Sequence, residues 1–288
     1  MRTQFTLPSG TIAALDTSGT GTIGPSLTRP VVLLVPGYTG SKEDFLPLLR
    51  PLADVGYRAV AIDQRGQFES AWATSPAGYT LEALAEEVCQ LAAELAPTTS
   101  RLHLVGHSLG GLVGRAAVLA KSELFDSFTL MGSGPAAVAG QRRTLLDAGE
   151  LVLARRGMAG LWSQLEASAQ ADPKYARSSP ALRDFLRTRF MATDPAGLQV
   201  MGQALRTVED RTDELARTGL PMLVLHGKSD DAWTPATQAE MARRLGAAYA
   251  VIPAAAHSPA VENPAATLRA LLDFWCRAES GLAGIQQP

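Results

Sequence analysis

The sequence predicts an α/β protein, a mostly parallel eight-stranded sheet flanked by helices and interrupted by one helical insertion. Three observations predict it. Two short alternating runs and then six short apolar runs are separated by stretches of helical periodicity, as when strands are covered by helices on both faces. Near the middle, Arg101 to Leu119 passes from strand to helix through a five-residue turn. From about Ala136 to Gly219 no strand pattern occurs, so residues 1–135 and 220–288 read as one core around an insertion at 136–219. At 288 residues the chain can bury a large core, and it fits one domain with an insertion better than two domains.

The elements follow in order. Gln4–Leu7 and Thr11–Leu15 alternate around Pro8-Ser9-Gly10 and predict a β-hairpin. Ser18–Arg29 is a loop rich in Gly, Thr and Ser. Val31–Val35 is a buried strand, and Pro36-Gly37-Tyr38-Thr39-Gly40-Ser41 leaves it as a flexible loop. Glu43–Val55 is a helix that Pro47 and Pro51 kink or shorten. Tyr57–Ile62 is the next strand, and Thr80 caps an amphipathic helix over Leu81–Leu95 that Pro97 stops. Leu102–Val105 is a strand, Leu109–Lys121 a helix and Ser127–Met131 a strand. Helical periodicity then recurs over Arg142–Arg155, Met158–Ala169, Ala181–Met191 and Gly197–Val208. Pro221–Leu225 returns to the sheet, Pro235–Leu245 is a helix and Ala248–Ile252 the last strand. Glu262–Cys276 closes the chain, and the last dozen residues read as loose.

A chain that turns so quickly after Val105 must hold its middle residue, Ser108, in a strained conformation. Gly106 and Gly110 lack a Cβ, so strand end and first helical turn can pack closely around it. The serine hydroxyl is then presented at a helix N-terminus, where main-chain N–H groups are unpaired. Gly106-His107-Ser108-Leu109-Gly110, in this strand-turn-helix setting, resembles the nucleophile elbow of the α/β-hydrolase superfamily, in its serine-nucleophile, esterase- and lipase-like branch. Candidate partners follow in the family's order of Ser, Asp, His.

That resemblance implies a set of roles. In the family the loop after the first parallel strand supplies one backbone N–H to the oxyanion, which here implies Tyr38, with Leu109 as the second donor. Removing such a donor costs about 3 to 4 kcal/mol of transition-state stabilisation. Family members usually carry His-Gly where this chain has Pro36-Gly37. Asp63-Gln64-Arg65-Gly66-Gln67-Phe68-Glu69-Ser70 is similar to the family's D-x-R-G-x-G-x-S, with Phe68 at a common glycine position; Asp63 and Arg65 are expected to pin this loop. The insertion resembles the family's helical cap, which excludes water and shapes the pocket. Leu161, Trp162, Phe185, Phe190, Met191 and Met201 are expected mostly in the cap core, with one or two lining the pocket. His226-Gly227-Lys228-Ser229-Asp230-Asp231 matches the loop of the triad acid; its spacing selects Asp230 and leaves Asp231 open. Ala254-Ala255-Ala256-His257 is similar to the terminal G-x-G-H loop, with alanines at both glycine places, so its turn is expected without positive φ.

Of four histidines, His103 alternates within a strand, His107 is expected to face away from attack and His226 to pack at a strand end. His257 alone lies in an irregular loop after the final strand, where a ring can swing toward Ser108. The expected catalytic set is Ser108, His257 and Asp230, with no metal and no cofactor, because no H-E-x-x-H, Cys/His cluster or phosphate-cradling loop occurs. A serine also argues against the epoxide hydrolases and dehalogenases of this fold, which attack through aspartate.

With 28 acidic and 26 basic residues interspersed, nucleic acid and membrane surfaces are not suggested as partners, and a neutral or small substrate is expected, which the family resemblance makes a small, neutral or apolar ester. Cys89 and Cys276, each in an apolar helical pattern, read as buried free thiols. No run approaches the roughly 18 apolar residues of a membrane span, and no export signal opens the chain, so a cytoplasmic location is expected. Monomer and homodimer stay open. The expected function is hydrolysis of a carboxylic ester through an acyl-enzyme. Thioesterase, lactonase, carbon–carbon hydrolase and perhydrolase share the triad, and a slow-turnover ligand receptor is the alternative from another class.

Overall fold

A computed structural model describes residues 1–19, 29–171 and 173–280. Most of the loop predicted over Ser18–Arg29, and the tail after Ser280, lie outside the described residues. Eight strands form one sheet: β1 (Arg2–Leu7), β2 (Gly10–Asp16), β3 (Val31–Val35), β4 (Arg58–Ile62), β5 (Leu102–His107), β6 (Ser127–Met131), β7 (Met222–Gly227) and β8 (Ala248–Ile252). Their order across the sheet is β1-β2-β4-β3-β5-β6-β7-β8. The β1–β2 and β2–β4 pairs are antiparallel and all the others parallel. Burial explains the patterning: every residue of β3, β5, β6 and β7 is buried, and most are apolar, as in strands covered on both faces.

Helices α1 (Leu46–Asp54), α2 (Leu81–Leu95) and α3 (Leu109–Lys121) follow β3, β4 and β5. The predicted Glu43–Val55 helix is divided: Lys42–Phe45 forms a 3-10 turn and α1 starts with Pro47 in its first turn, where a missing N–H costs nothing. Thr80 caps α2 by accepting from the Ala83 N–H. Two apolar clusters lie on the sheet's faces, one with Leu33, Leu104, Leu112 and Phe128, the other with Leu34, Leu48, Val105 and Trp275. The single-sequence pattern of alternating faces along β3 and β5 produces this division directly.

Between β6 and β7 the described chain is helical: α4 (Gly140–Ala169), α5 (Pro173–Ala176), α6 (Pro180–Met191), α7 (Pro195–Thr207) and α8 (Thr212–Ala216). Gly157, at φ 63°, breaks α4 between the two predicted helices. Leu153, Met158, Leu161, Phe190 and Leu198 make a separate small core in this segment. The chain closes with α9 (Pro235–Leu245), α10 (Pro259–Glu262) and α11 (Pro264–Glu279), the last two replacing the single predicted Glu262–Cys276 helix because Asn263 caps a new start at Pro264. Cys89 is buried but Cys276 is exposed, correcting the expectation of two buried thiols: Cys276 falls on the outer side of α11, while Phe274 and Trp275 turn inward. No helix of the described residues is long and apolar enough to cross a membrane.

Candidate active site

Ser108 follows β5 at the N-cap position of α3, at φ 54° and ψ −117°, a region that L residues avoid. The surrounding packing holds it there. A Cβ on Gly106 would lie 2.2 Å from the Gly110 carbonyl oxygen, and one on Gly110 would lie 2.3 Å from that of Val35. Strand, loop and helix therefore touch through bare main chain. The Ser108 N–H donates to Met131 O at 2.9 Å, and the buried Ser133 hydroxyl donates to Ser108 O at 2.8 Å, tying the turn to β6 and the loop after it.

His257 comes from the loop after β8. Its Nε2 lies 3.0 Å from Ser108 Oγ and its Nδ1 lies 3.0 Å from Asp230 Oδ1. A carboxylate only accepts, so Nδ1 carries the hydrogen and Nε2 is left to accept from the serine hydroxyl. The carboxylate of Asp230 is buried and receives two further donors, the Ala232 N–H at 3.0 Å and Gln238 Nε2 at 3.0 Å. Burial alone would raise the pKa of Asp230. The hydrogen bond and charge of His257, with the Ala232 and Gln238 donors, outweigh it and hold the carboxyl below its ordinary range. Asp231, by contrast, is exposed and makes a two-pronged contact with Arg142 at 2.7 and 3.1 Å. The structure therefore brings Asp230, not Asp231, to the imidazole.

The other histidines sort by their partners. His103 is buried between Ser127 Oγ and Glu279, and His226 bonds Gly227 O and the Tyr249 hydroxyl. His107 departs from expectation. Instead of facing away, it lines the same cleft as Ser108, its ring 5.1 Å from that of His257, and its Nε2–H donates to His257 O at 2.8 Å. Burial, and then the neighbouring His257 charge, push its pKa down to about 4, so the ring is neutral near pH 7.

Tyr38 follows Gly37 in the loop after β3, and both line the cleft. The Tyr38 hydroxyl is committed to Leu198 O at 2.8 Å, and burial raises its pKa far above that of a free phenol. What Tyr38 can offer the site is its main-chain N–H. Leu109, in the first turn of α3, has an N–H without an intrahelical acceptor. The place of the missing loop histidine is taken by glutamine: Gln64 Nε2 donates to Pro36 O, and Gln67 Nε2 donates to Gly37 O.

Asp63 and Arg65 make the expected pinning contacts. Asp63 accepts from the buried Lys42 amine at 2.6 Å and from its main-chain N–H at 2.8 Å, while Arg65 pairs with Glu87. Lys42 Nζ also lies 2.7 Å from Glu69 and 4.7 Å from the centre of the Phe68 ring. Phe68 occupies the common glycine position at φ 37°. Ala254 also has positive φ, 55°, which corrects the expectation for the histidine loop: the turn keeps the left-handed geometry and alanine bears the strain.

The cleft over Ser108 and His257 has a volume of about 1280 Å³. Helix α6 lines it with Phe185, and Phe185 packs edge-on against Phe68 at 5.8 Å. Of the six residues singled out in the insertion, Leu161, Phe190 and Met201 are buried, Trp162 is half-buried and Met191 is exposed at 39%. Gln238, Ser133 and Lys42 also build this site, and sequence reasoning missed all three. Only Lys42, a cation beside an acidic loop, left a signal there.

Residues 32–270 match the family described as the alpha/beta hydrolase family. "Putative carbamate hydrolase RutD" of Pantoea ananatis LMG 20103 is 29% identical over 262 residues, covering 88% of this chain and 90% of that protein. The protein of the same name in Variovorax paradoxus S110 is 40% identical, but over 102 residues that span 35% of this chain and 37% of its own length. Among solved structures, a thermophilic esterase from Thermogutta terrifontis superposes with a TM-score of 0.76 at 23% identity, covering 96% of this chain and 99% of that one. The enol-lactonase from Burkholderia xenovorans LB400 gives 0.78 at 21% identity, covering 95% and 100%.

Proposed function

This chain belongs to the alpha/beta hydrolase family, and we propose that within it the protein is a serine hydrolase that cleaves a carboxylic ester of a small, neutral or apolar substrate. The observation that carries this reading is the unbroken line from Ser108 Oγ through the His257 ring to Asp230. His257 Nε2 takes the hydroxyl proton as Ser108 Oγ bonds to the ester carbonyl carbon. Asp230 keeps the hydrogen on Nδ1 and stabilises the imidazolium that forms. The negative oxygen is bound by the N–H groups of Tyr38 and Leu109, aimed at charge that appears only in the transition state. As the carbon–alkoxy bond breaks, His257 returns the proton to the departing alcohol. Water then repeats both steps on the acyl-enzyme and frees the acid.

The helices between β6 and β7 serve in this reading as a cap over Ser108. Apolar Val138, Leu146, Phe185, Leu205 and Trp233 line part of the cleft, and among its charged lining residues Arg142 is paired with Asp231 and Arg189 with Asp44, an arrangement that supports an uncharged substrate. A second reading is supported by the relatives named for carbamate hydrolysis: the carbonyl attacked is that of a carbamate. The same three side chains serve both.

Steady-state turnover of chromogenic esters, thioesters, lactones and carbamates, with Ser108→Ala as the blank, tests the proposal. Ester turnover that disappears in the blank supports it, and carbamate turnover without ester turnover selects the second reading. A stoichiometric burst with negligible turnover across the whole panel selects a ligand receptor instead.

A further inference from the structure

Behind Asp230 lies a side chain that the mechanism above does not use. Gln238, in the first turn of α9, is fully buried, and its Nε2 is 3.0 Å from Asp230 Oδ2 and 2.8 Å from Trp233 O. Its Oε1 is buried and has no hydrogen-bond partner among the described residues. Turning the amide over would aim that oxygen at two acceptors, so the network fixes its orientation, with both N–H groups used.

We propose that Gln238 is a positioning residue that acts through Asp230 on His257, fixing the plane of the carboxylate so that one oxygen points at the imidazole while the other is held from behind. The proposal rests on the catalytic reading given above. Rotation about the last bond of an aspartate is soft, so the side chain by itself does not fix the plane of the carboxylate. Here Ala232 N–H and His257 Nδ1–H meet Oδ1, and Gln238 meets Oδ2. A neutral donor suits the task. It satisfies the buried oxygen without neutralising it, so the full negative charge stays available to the imidazolium; a lysine or arginine in its place would compete for that charge. The second Gln238 N–H fixes Trp233, whose Nε1 donates to Ala136 O at 2.9 Å and whose ring lies 6.5 Å from that of His257. One amide thus holds the acid and one wall of the cleft together.

The groups facing this pair are few. His107 from the turn after β5 touches His257, and Asp44 and Asp230 are the carboxylates whose charge reaches His107. Asp231 is paired with Arg142 at the rim, and Glu262 from α10 accepts the Ala256 N–H.

Gln238→Met and Gln238→Glu, in the full chain, test this through kcat and KM from pH 5 to 9 on a chromogenic ester, beside thermal melts. Methionine keeps the bulk and removes both donors. It is expected to lower kcat by about tenfold or more with KM within about twofold, as when a reacting group loses its alignment. Glutamate donates in the amide's place only while protonated. Its kcat should approach the wild-type value at the acid end and fall as the new carboxyl ionises against Asp230, adding an alkaline limb that the wild type lacks. A residue that only fills space would leave the wild-type profile in both variants, and kcat within twofold for Gln238→Met overturns the proposal. Should Gln238→Glu melt below the assay temperature, Gln238→Met decides alone. Ser108→Ala separates the two levels of the argument. If it keeps its activity, the catalytic reading fails; if it is inactive while both Gln238 variants behave as wild type, only the positioning role fails.

Discussion

Replacing Asp230 or Asp231 by asparagine changes two atoms of the same kind, one residue apart, with sharply different expected results. The Asp230 carboxylate accepts three hydrogen bonds, two on Oδ1 and one on Oδ2. Asparagine must place its NH2 at one of these oxygens. At Oδ1 it would face the Ala232 N–H and would require His257 to move its hydrogen to Nε2, where the ring can no longer take the serine proton. At Oδ2 it would face the Gln238 NH2, and the imidazolium would lose its counter-charge. The wrong tautomer alone costs about 10⁴-fold in serine proteases, so we expect Asp230→Asn to lose at least about 10³-fold in kcat. Asp231, with a side chain 64% exposed, makes a surface pair with Arg142. Such pairs are worth about 0.2 to 1 kcal/mol, so Asp231→Asn should stay within about fivefold of wild type. The assay is kcat and KM for both variants on a chromogenic ester near pH 8, with melts showing that both are folded. Activities within tenfold of each other would refute the reasoning, and loss confined to Asp231→Asn would move the acid by one residue.

Three further outcomes follow from single distances and angles. Gly106→Ala puts a methyl 2.2 Å from the Gly110 carbonyl oxygen, against main chain that cannot step aside; destabilisation of about 3 kcal/mol or more, read by urea unfolding, is expected. Ala254→Gly relieves a positive φ of 55° on an exposed residue and should stabilise by up to about 1 kcal/mol; a loss of stability would contradict the strain assigned there. His107, held neutral with a pKa of about 4, has a sign that can be worked out. Above pH 6.5 it is neutral folded or unfolded and contributes nothing pH-dependent. As pH falls toward 4 the unfolded chain binds a proton that the folded chain refuses, so stability drops by about 1.4 kcal/mol per pH unit, to about 3 kcal/mol. His107→Gln should flatten that part of the stability curve between pH 6.5 and 4, and an unchanged slope would contradict it.

The sheet was legible because the buried strands, such as Val31–Val35, are short, mostly apolar runs between turn residues, and because Gly106 and Gly110 bracket the corner that places Ser108. The structure sets Ser108, His257 and Asp230 in hydrogen-bonded line, three residues that the sequence marks by motif and by order along the chain. What it could not mark was neighbourhood across the chain. The loop's spacing selects Asp230 but leaves Asp231 open; the difference that spacing cannot carry is that Gln238, eight residues on, and the Ala232 N–H converge on one carboxylate only. His107 was misjudged because the turn's handedness, not the motif's letters, aims its ring at His257. Ala254 misled for a related reason: positive φ favours glycine but does not require it when hydrogen bonds and neighbouring chain fix the turn. Cys276 sits beside inward-facing Trp275 in an apolar helix, and one position of rotation sufficed to expose it.

The central claim is that Ser108 is the activated nucleophile. Labelling the intact protein with a fluorophosphonate probe and mapping the modified peptide by mass spectrometry tests it directly. The account predicts one label per chain, on Ser108, with hydrolysis lost in proportion to labelling and the reaction suppressed in His257→Ala. Stoichiometric label on another residue, or full activity after Ser108 is completely modified, would contradict it.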